Sequence, residues 1–194
     1  MQKLTLADIK DMREYERERA EFRSRIIEMK KRRRIHLGEL LTVTFENTDT
    51  MRFQIQEMAR VERMVTDEQI QHEIETYNEL IPEPGELSGT LFIEIDDKAR
   101  LYEWLPKLVG IQRAVSFRLD GAGEVPSIPE DEARLTREDV TTTVHYLKFR
   151  FTPEQVEAFE RGPVHLVVEH PNYRADVELG DAQREELAGD LTAA

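Results

Sequence analysis

The sequence predicts an α+β fold, with a helical N-terminal half packed on a mostly antiparallel sheet. Two observations carry this. Over roughly the first 82 positions apolar residues recur at three- and four-residue spacing, the helix period. From residue 83 onward they alternate with polar ones, as in strands with one buried face. The 194 residues suit a single domain, helix-rich over 1–82, strand-rich over 83–180 and closed by a helix at about 181–191.

In order along the chain, Thr5 with Asp8 makes a capping-box start for a helix over 5–34, with a break near Asp11–Glu14. Met12, Tyr15, Phe22, Ile26 and Met29 form its apolar seam, and Arg19 fills the missing position. Leu37, Leu41, Val43 and Phe45 predict one strand over Leu37–Glu46, ended by the turn and cap residues Asn47–Thr50. A second helix carries the stripe Met51, Ile55, Met58 and Val65, and a third, opened by Thr66 and Gln69, carries Ile70, Ile74, Tyr77 and Ile81. Pro82 and Pro84 end it. Strands follow at Leu91–Ile95, Val115–Leu119, His145–Phe151 and Val164–Val168. Between them lie helices at about Lys98–Leu108 and, after Thr152-Pro153-Glu154, to Glu160. Residues 120–140 read as the longest irregular stretch, a candidate lid.

Composition removes several function classes. With no cysteine, the chain has no thiolate nucleophile and no cysteine-ligated metal or iron–sulfur cluster. No apolar run approaches the roughly 18–20 residues that cross a bilayer, and the start shows no secretory pattern, so a cytoplasmic protein is expected, away from membranes. The net charge is −13. Residues 1–60 hold 14 Lys and Arg against 11 Asp and Glu, so the excess of acid lies in the remainder. That balance argues against nucleic acid as a partner.

Candidate sites are few. Lys30, Lys31, Arg32, Arg33 and Arg34 place five cations at a helix C-terminus, where they favour the dipole and offer a docking surface for an acidic partner. His72 shares a helix face with Glu68, Glu75 and Glu79, but that face lies opposite the apolar stripe and should meet water. His145 and His170 each continue an apolar strand face, which makes them weak metal candidates that would need a third ligand. Glu62 interrupts the second helix's stripe as Arg19 interrupts the first, so the two helices are expected to pack together with Arg19 paired to Glu62. Dinucleotide, phosphate-loop, nucleophile-elbow and zinc-protease motifs are absent.

Phe45-Glu-Asn47, the run Arg52-Phe-Gln-Ile-Gln-Glu57-Met-Ala-Arg60-Val-Glu-Arg63, Val144-His-Tyr-Leu-Lys-Phe149 and Glu169-His-Pro-Asn-Tyr173 resemble an uncharacterised bacterial family known as domain of unknown function 3501. The likeness spans nearly the whole chain. It implies an accessory role beside rubrerythrin-like or iron–sulfur redox proteins, any cluster belonging to the partner. It supplies no catalytic residue. Three function classes stand as expectations. The first is a non-catalytic accessory protein that binds such a partner. The second is a metal- or small-ligand-binding protein, with or without enzymatic activity, whose cleft uses Arg52, Glu57, Arg60, Glu62, His145, His170 and Tyr173. The third, a nucleic-acid-associated regulator, is disfavoured by charge. No cofactor is specified by the sequence.

Overall fold

A computed structural model describes residues 1–130 and 139–193. The first helix, α1 (Met12–Arg33), starts at Asp11, whose carboxylate accepts hydrogen bonds from the N–H groups of Arg13 and Glu14. A single 3-10 turn, Leu6–Asp8, precedes it, so the expected break falls at residues 9–11. Asn47 caps α2 (Thr48–Glu62), and Thr66 with Gln69 opens α3 (Asp67–Asn78) as the sequence predicts.

Nine strands among the described residues form two antiparallel sheets. The first runs in the order β1 (Arg34–Leu37), β2 (Leu41–Glu46), β3 (Glu86–Ile93), β7 (Val144–Arg150), β6 (Ile128–Glu130). The second runs β5 (Gly123–Pro126), β4 (Val115–Leu119), β8 (Val164–His170), β9 (Tyr173–Glu178). Three more helices lie among the described residues: α4 (Lys98–Lys107), α5 (Pro153–Arg161) and α6 (Asp181–Thr192). None of the helices is long and apolar enough to cross a membrane, among the described residues.

The alternating residues face chiefly the other sheet, where the sequence suggests helices, and helix side chains such as Phe159 and Leu187 close the core at its margins. Phe45 and Phe149 from the first sheet meet Phe117 from the second, at ring-centroid distances of 5.5 and 4.9 Å. Phe151 and Phe159 of α5 extend the cluster, at 5.5 Å each from Phe117. Burial of each such ring contributes about 1.5–3 kcal/mol. Helices α1 and α6 contact β2 and β3 of the first sheet, whose opposite face buries Thr44, Glu46, Ser88 and Thr90. Only the far face of the second sheet is wet. Arg118 pairs there with Asp176, and His165 Nδ1 lies 2.7 Å from the same carboxylate, in contact with solvent.

Three further expectations change. The strand predicted over Leu37–Glu46 is a hairpin, β1 paired with β2, because Gly38 turns the chain at φ +71°. A Cβ at Gly38 would lie 2.4 Å from the Tyr173 hydroxyl, which itself donates to Leu37 O and accepts from Leu40 N. Short strands β5 and β6, each holding a proline, occupy part of the stretch expected to be irregular, and residues 131–138 of that stretch lie outside the described residues. Strand β9 is an addition that the pattern analysis missed.

Candidate functional site

The helical layer holds the densest set of long-range polar contacts outside the sheets. Helices α1 and α2 run antiparallel. Phe22 packs edge-on to Phe53 at 5.7 Å, Arg19 meets Glu57, and Glu16 meets Arg60. These partners on α2 lie at positions 53, 57 and 60, a helical row beside the buried residues Met51, Ile55 and Ala59. The two amphipathic helices are therefore mates, but Arg19 pairs with Glu57 rather than Glu62. Glu62 is the last residue of α2 and is exposed, because Arg63 takes a left-handed conformation and turns the chain away.

Glu57 is the centre of this lock. Its Oε1 accepts from Tyr15 Oη at 2.6 Å and Arg19 Nε at 2.7 Å, and its Oε2 accepts from Arg19 Nη2 at 2.8 Å. The Arg19 guanidinium, aided by the Tyr15 hydroxyl, lowers the Glu57 carboxyl to about 2. Burial and the hydrogen bond to Glu57 push the Tyr15 phenol upward. The trio therefore ties the two helices together through one shared carboxylate.

Residues 1–10 cross this layer as a strap. Asn78 accepts from Leu4 N at 2.8 Å and donates to Leu4 O at 2.9 Å. Gln56 does the same to Lys10, accepting at 2.7 Å and donating at 3.1 Å. Leu4 sits in a small core with Met51, Ile55, Ile74, Leu80 and Ile81, and Ile9 packs against it. A cleft of about 430 Å³ opens between the strap, the start of α1 and the α2–α3 turn. Three apolar side chains on its wall reach solvent: Leu6 and Met12, each 38% exposed, and Val65, 84% exposed. A second cleft of about 230 Å³, on the other side of Lys10 and Gln56, contains Phe22, Arg25 and Arg52.

The family model described as Protein of unknown function (DUF3501) matches residues 3–191. The chain belongs to this family. A crystal structure titled as a novel protein of unknown function from Burkholderia pseudomallei K96243 is 30% identical to this DUF3501 chain, with a TM-score of 0.90. The match covers 98% of this chain and 100% of that one. No curated protein matches.

The DUF3501 fold separates the residues that the sequence reading grouped into one cleft. Arg52, Glu57 and Arg60 lie on α2 in the helical layer. His145 is on the opposite side of the first sheet, paired with Leu91 and facing the core, and its Nε2 lies 2.8 Å from Thr141 Oγ1. His170 Nε2 lies 3.0 Å from Val109 O and Nδ1 accepts from Asn172 N, so both ring nitrogens are used within the chain. Tyr173 ties β9 to the β1–β2 turn. No group of three or more His, Cys, Asp or Glu among the described residues is placed to hold a metal ion. The stripe of His72, Glu68, Glu75 and Glu79 is exposed, as its phase requires.

The cationic run is largely spoken for. Arg33 is fully buried and donates to Phe45 O, Glu46 O, Glu186 and Asp190. Burial pushes the Asp190 carboxyl above its ordinary range despite that guanidinium. Arg32 pairs with Glu186, Arg34 with Glu94 and Lys31 with Glu28. Lys30 is left without an ion-pair partner among the described residues. A run of five cations in sequence therefore does not present five cations to a partner.

Sequence reasoning missed Tyr15 as a donor to Glu57 and missed Gln56 and Asn78 altogether. The available signal was a glutamine next to the buried stripe of α2, since a carboxamide on such a face needs partners for all its groups.

Proposed function

We propose that this protein is a non-catalytic binding protein that receives an apolar segment of a protein partner in the cleft beside Met12 and Val65. One observation carries the reading: three exposed apolar side chains, Leu6, Met12 and Val65, converge on one concave site. The bonding of Glu57, His145 and His170 within the chain also favours binding over catalysis. Arg13 lines the same cleft and has no ion-pair partner among the described residues, so the segment that fits is apolar with a carboxylate. The family resemblance makes rubrerythrin-like and iron–sulfur proteins the first partners to try.

The test is photocrosslinking from position 65 in cells, followed by reconstitution with the captured protein once it is identified. Met12→Asp and Val65→Asp should each reduce its affinity at least tenfold while leaving thermal stability unchanged. Unchanged association in both variants would refute this reading.

A second reading, capture of a small anion, rests on Arg52. Its Nη1 reaches Asp49 at 3.2 Å while its Nε is buried without an acceptor among the described residues, and Arg25 beside it contacts the Phe22 ring. Titration with inorganic phosphate tests it. Saturable binding that Arg52→Gln abolishes would favour the anion, and no binding would remove it.

A further inference from the structure

The strap is held in an unusual manner for a chain terminus packed on helices. Asn78 and Gln56 each bond both the N–H and the C=O of one strap residue, Leu4 and Lys10 respectively. These paired bonds imitate one rung of a β-ladder and read backbone, not side chain. Gln56 is 3% exposed, so its carboxamide is built into the groove rather than resting on it. Side chains are read as well: Leu4 enters the core of α2 and α3, Met1 and Ile9 pack against it, and the Lys3 ammonium donates to Asn78 O and Ile81 O and pairs with Glu83. Between Leu4 and Ile9, residues Thr5, Leu6 and Ala7 point to solvent. Thr48 Oγ1 adds a bond to Gln2 O at 2.9 Å. The strap also fills its groove incompletely, since the cleft of about 430 Å³ continues from Leu6 and Ile9 to Met64, Val65 and Ile70.

We propose that the α2–α3 groove is a peptide-binding site and that residues 1–10 are its internal occupant, competing with a partner segment of the same chemistry. That segment presents a cation followed at once by the first of two aliphatic side chains five residues apart, with the backbone free to bond at Asn78 and Gln56. This deepens the binding role proposed above, and rests on it, by naming the form in which the partner enters. Because both brackets bond main-chain atoms, selectivity falls on the Lys3, Leu4 and Ile9 positions. Only Leu4 of the strap is buried to within a tenth of full coverage, so lifting the strap exposes little apolar surface.

The probe is a fluorescein-labelled synthetic peptide with the sequence of residues 2–12, titrated into the full-length chain and followed by anisotropy. A Leu4→Asp/Ile9→Asp variant, whose own strap no longer competes, should bind it at least tenfold more tightly than the unaltered chain. Adding Gln56→Ala and Asn78→Ala to that variant should remove the gain. Equal, weak binding by all three proteins would overturn the proposal. Hydrogen exchange on the unaltered chain decides the matter even if the double variant fails to fold. The Leu4 and Lys10 amides should exchange at least a hundredfold faster than those of Leu91 and Phe149, and equal protection would mean the strap never lifts. Met12→Asp and Val65→Asp separate the two readings. If they weaken partner binding while the peptide fails to exchange, the cleft stands and only the strap's role as a competitor is lost.

Discussion

The two faces of the first sheet are built on opposite principles. Toward the second sheet, β2, β3 and β7 present Val43, Phe45, Leu91, Leu147 and Phe149, and the rings interlock with Phe117. Toward the helices the same strands present Thr44, Glu46, Ser88 and Thr90, equally buried but polar. Thr90 donates to Glu46 Oε1 at 3.0 Å, while Glu46 Oε2 and Ser88 Oγ have no hydrogen-bond partner among the described residues. The dry face is specified by shape. The polar face is specified by a few directed bonds and leaves some groups wanting, which makes the helical layer the easier of the two to shift. The clefts and the strap lie in that layer, and the sheet-to-sheet core supplies the stability they depend on.

This contrast can be broken or sharpened by substitution, from the largest effect to the smallest. Phe117→Ala, at the centre of the ring cluster, should destabilise by about 4 kcal/mol, read from the urea midpoint. A loss under about 1 kcal/mol would mean that the core is not where the stability resides. Arg33→Met should lose about 3 kcal/mol, because it strands Asp190 and two backbone carbonyls in a buried place. Pairing it with Asp190→Leu should return part of that loss, and a fully additive double variant would contradict the pairing.

Glu57→Gln, on the α1–α2 lock, should lose about 2 kcal/mol at neutral pH. The carboxyl titrates near 2 in the fold against an ordinary 4.5, so its contribution is complete above about pH 4.5. It disappears as pH falls from there toward 2. The gap between variant and unaltered chain should therefore narrow over that window, and a constant gap would show that Glu57 acts by packing alone. Glu46→Gln should change the midpoint by less than about 1 kcal/mol, since one carboxylate oxygen is already without a partner. A large loss would reveal that the polar face is as tightly specified as the dry one.

Local chemistry was legible in the sequence. The caps at Asn47, Thr66 and Thr152 and the alternation in β4, β7 and β8 each depend on residues within a few positions, and all appear where the pattern places them. What was not legible depends on distant partners. The β1–β2 turn is fixed by Tyr173, far along the chain, whose hydroxyl occupies the space a side chain at position 38 would need. Arg19 was recognised as a charge in an apolar seam, but its partner lay one helical turn earlier than expected, because α2 stops at Glu62. Pattern alone could not say that the alternating face looks at a second sheet, since helices and sheets bury the same residue types. Buried Arg33 resembled its exposed neighbours until the carbonyls of Phe45 and Glu46 were seen against it.

The Tyr173 contact bears on how the molecule avoids its own kind. By fastening β9 to the β1–β2 turn it brings β1 and β9, one border strand from each sheet, alongside one another. The opposite borders, β5 and β6, are four and three residues long, and each contains a proline that has no amide hydrogen to offer. A stray chain seeking to extend either ladder meets a stapled seam on one flank and a blunted rim on the other, which guards the two sheets against fibrous growth.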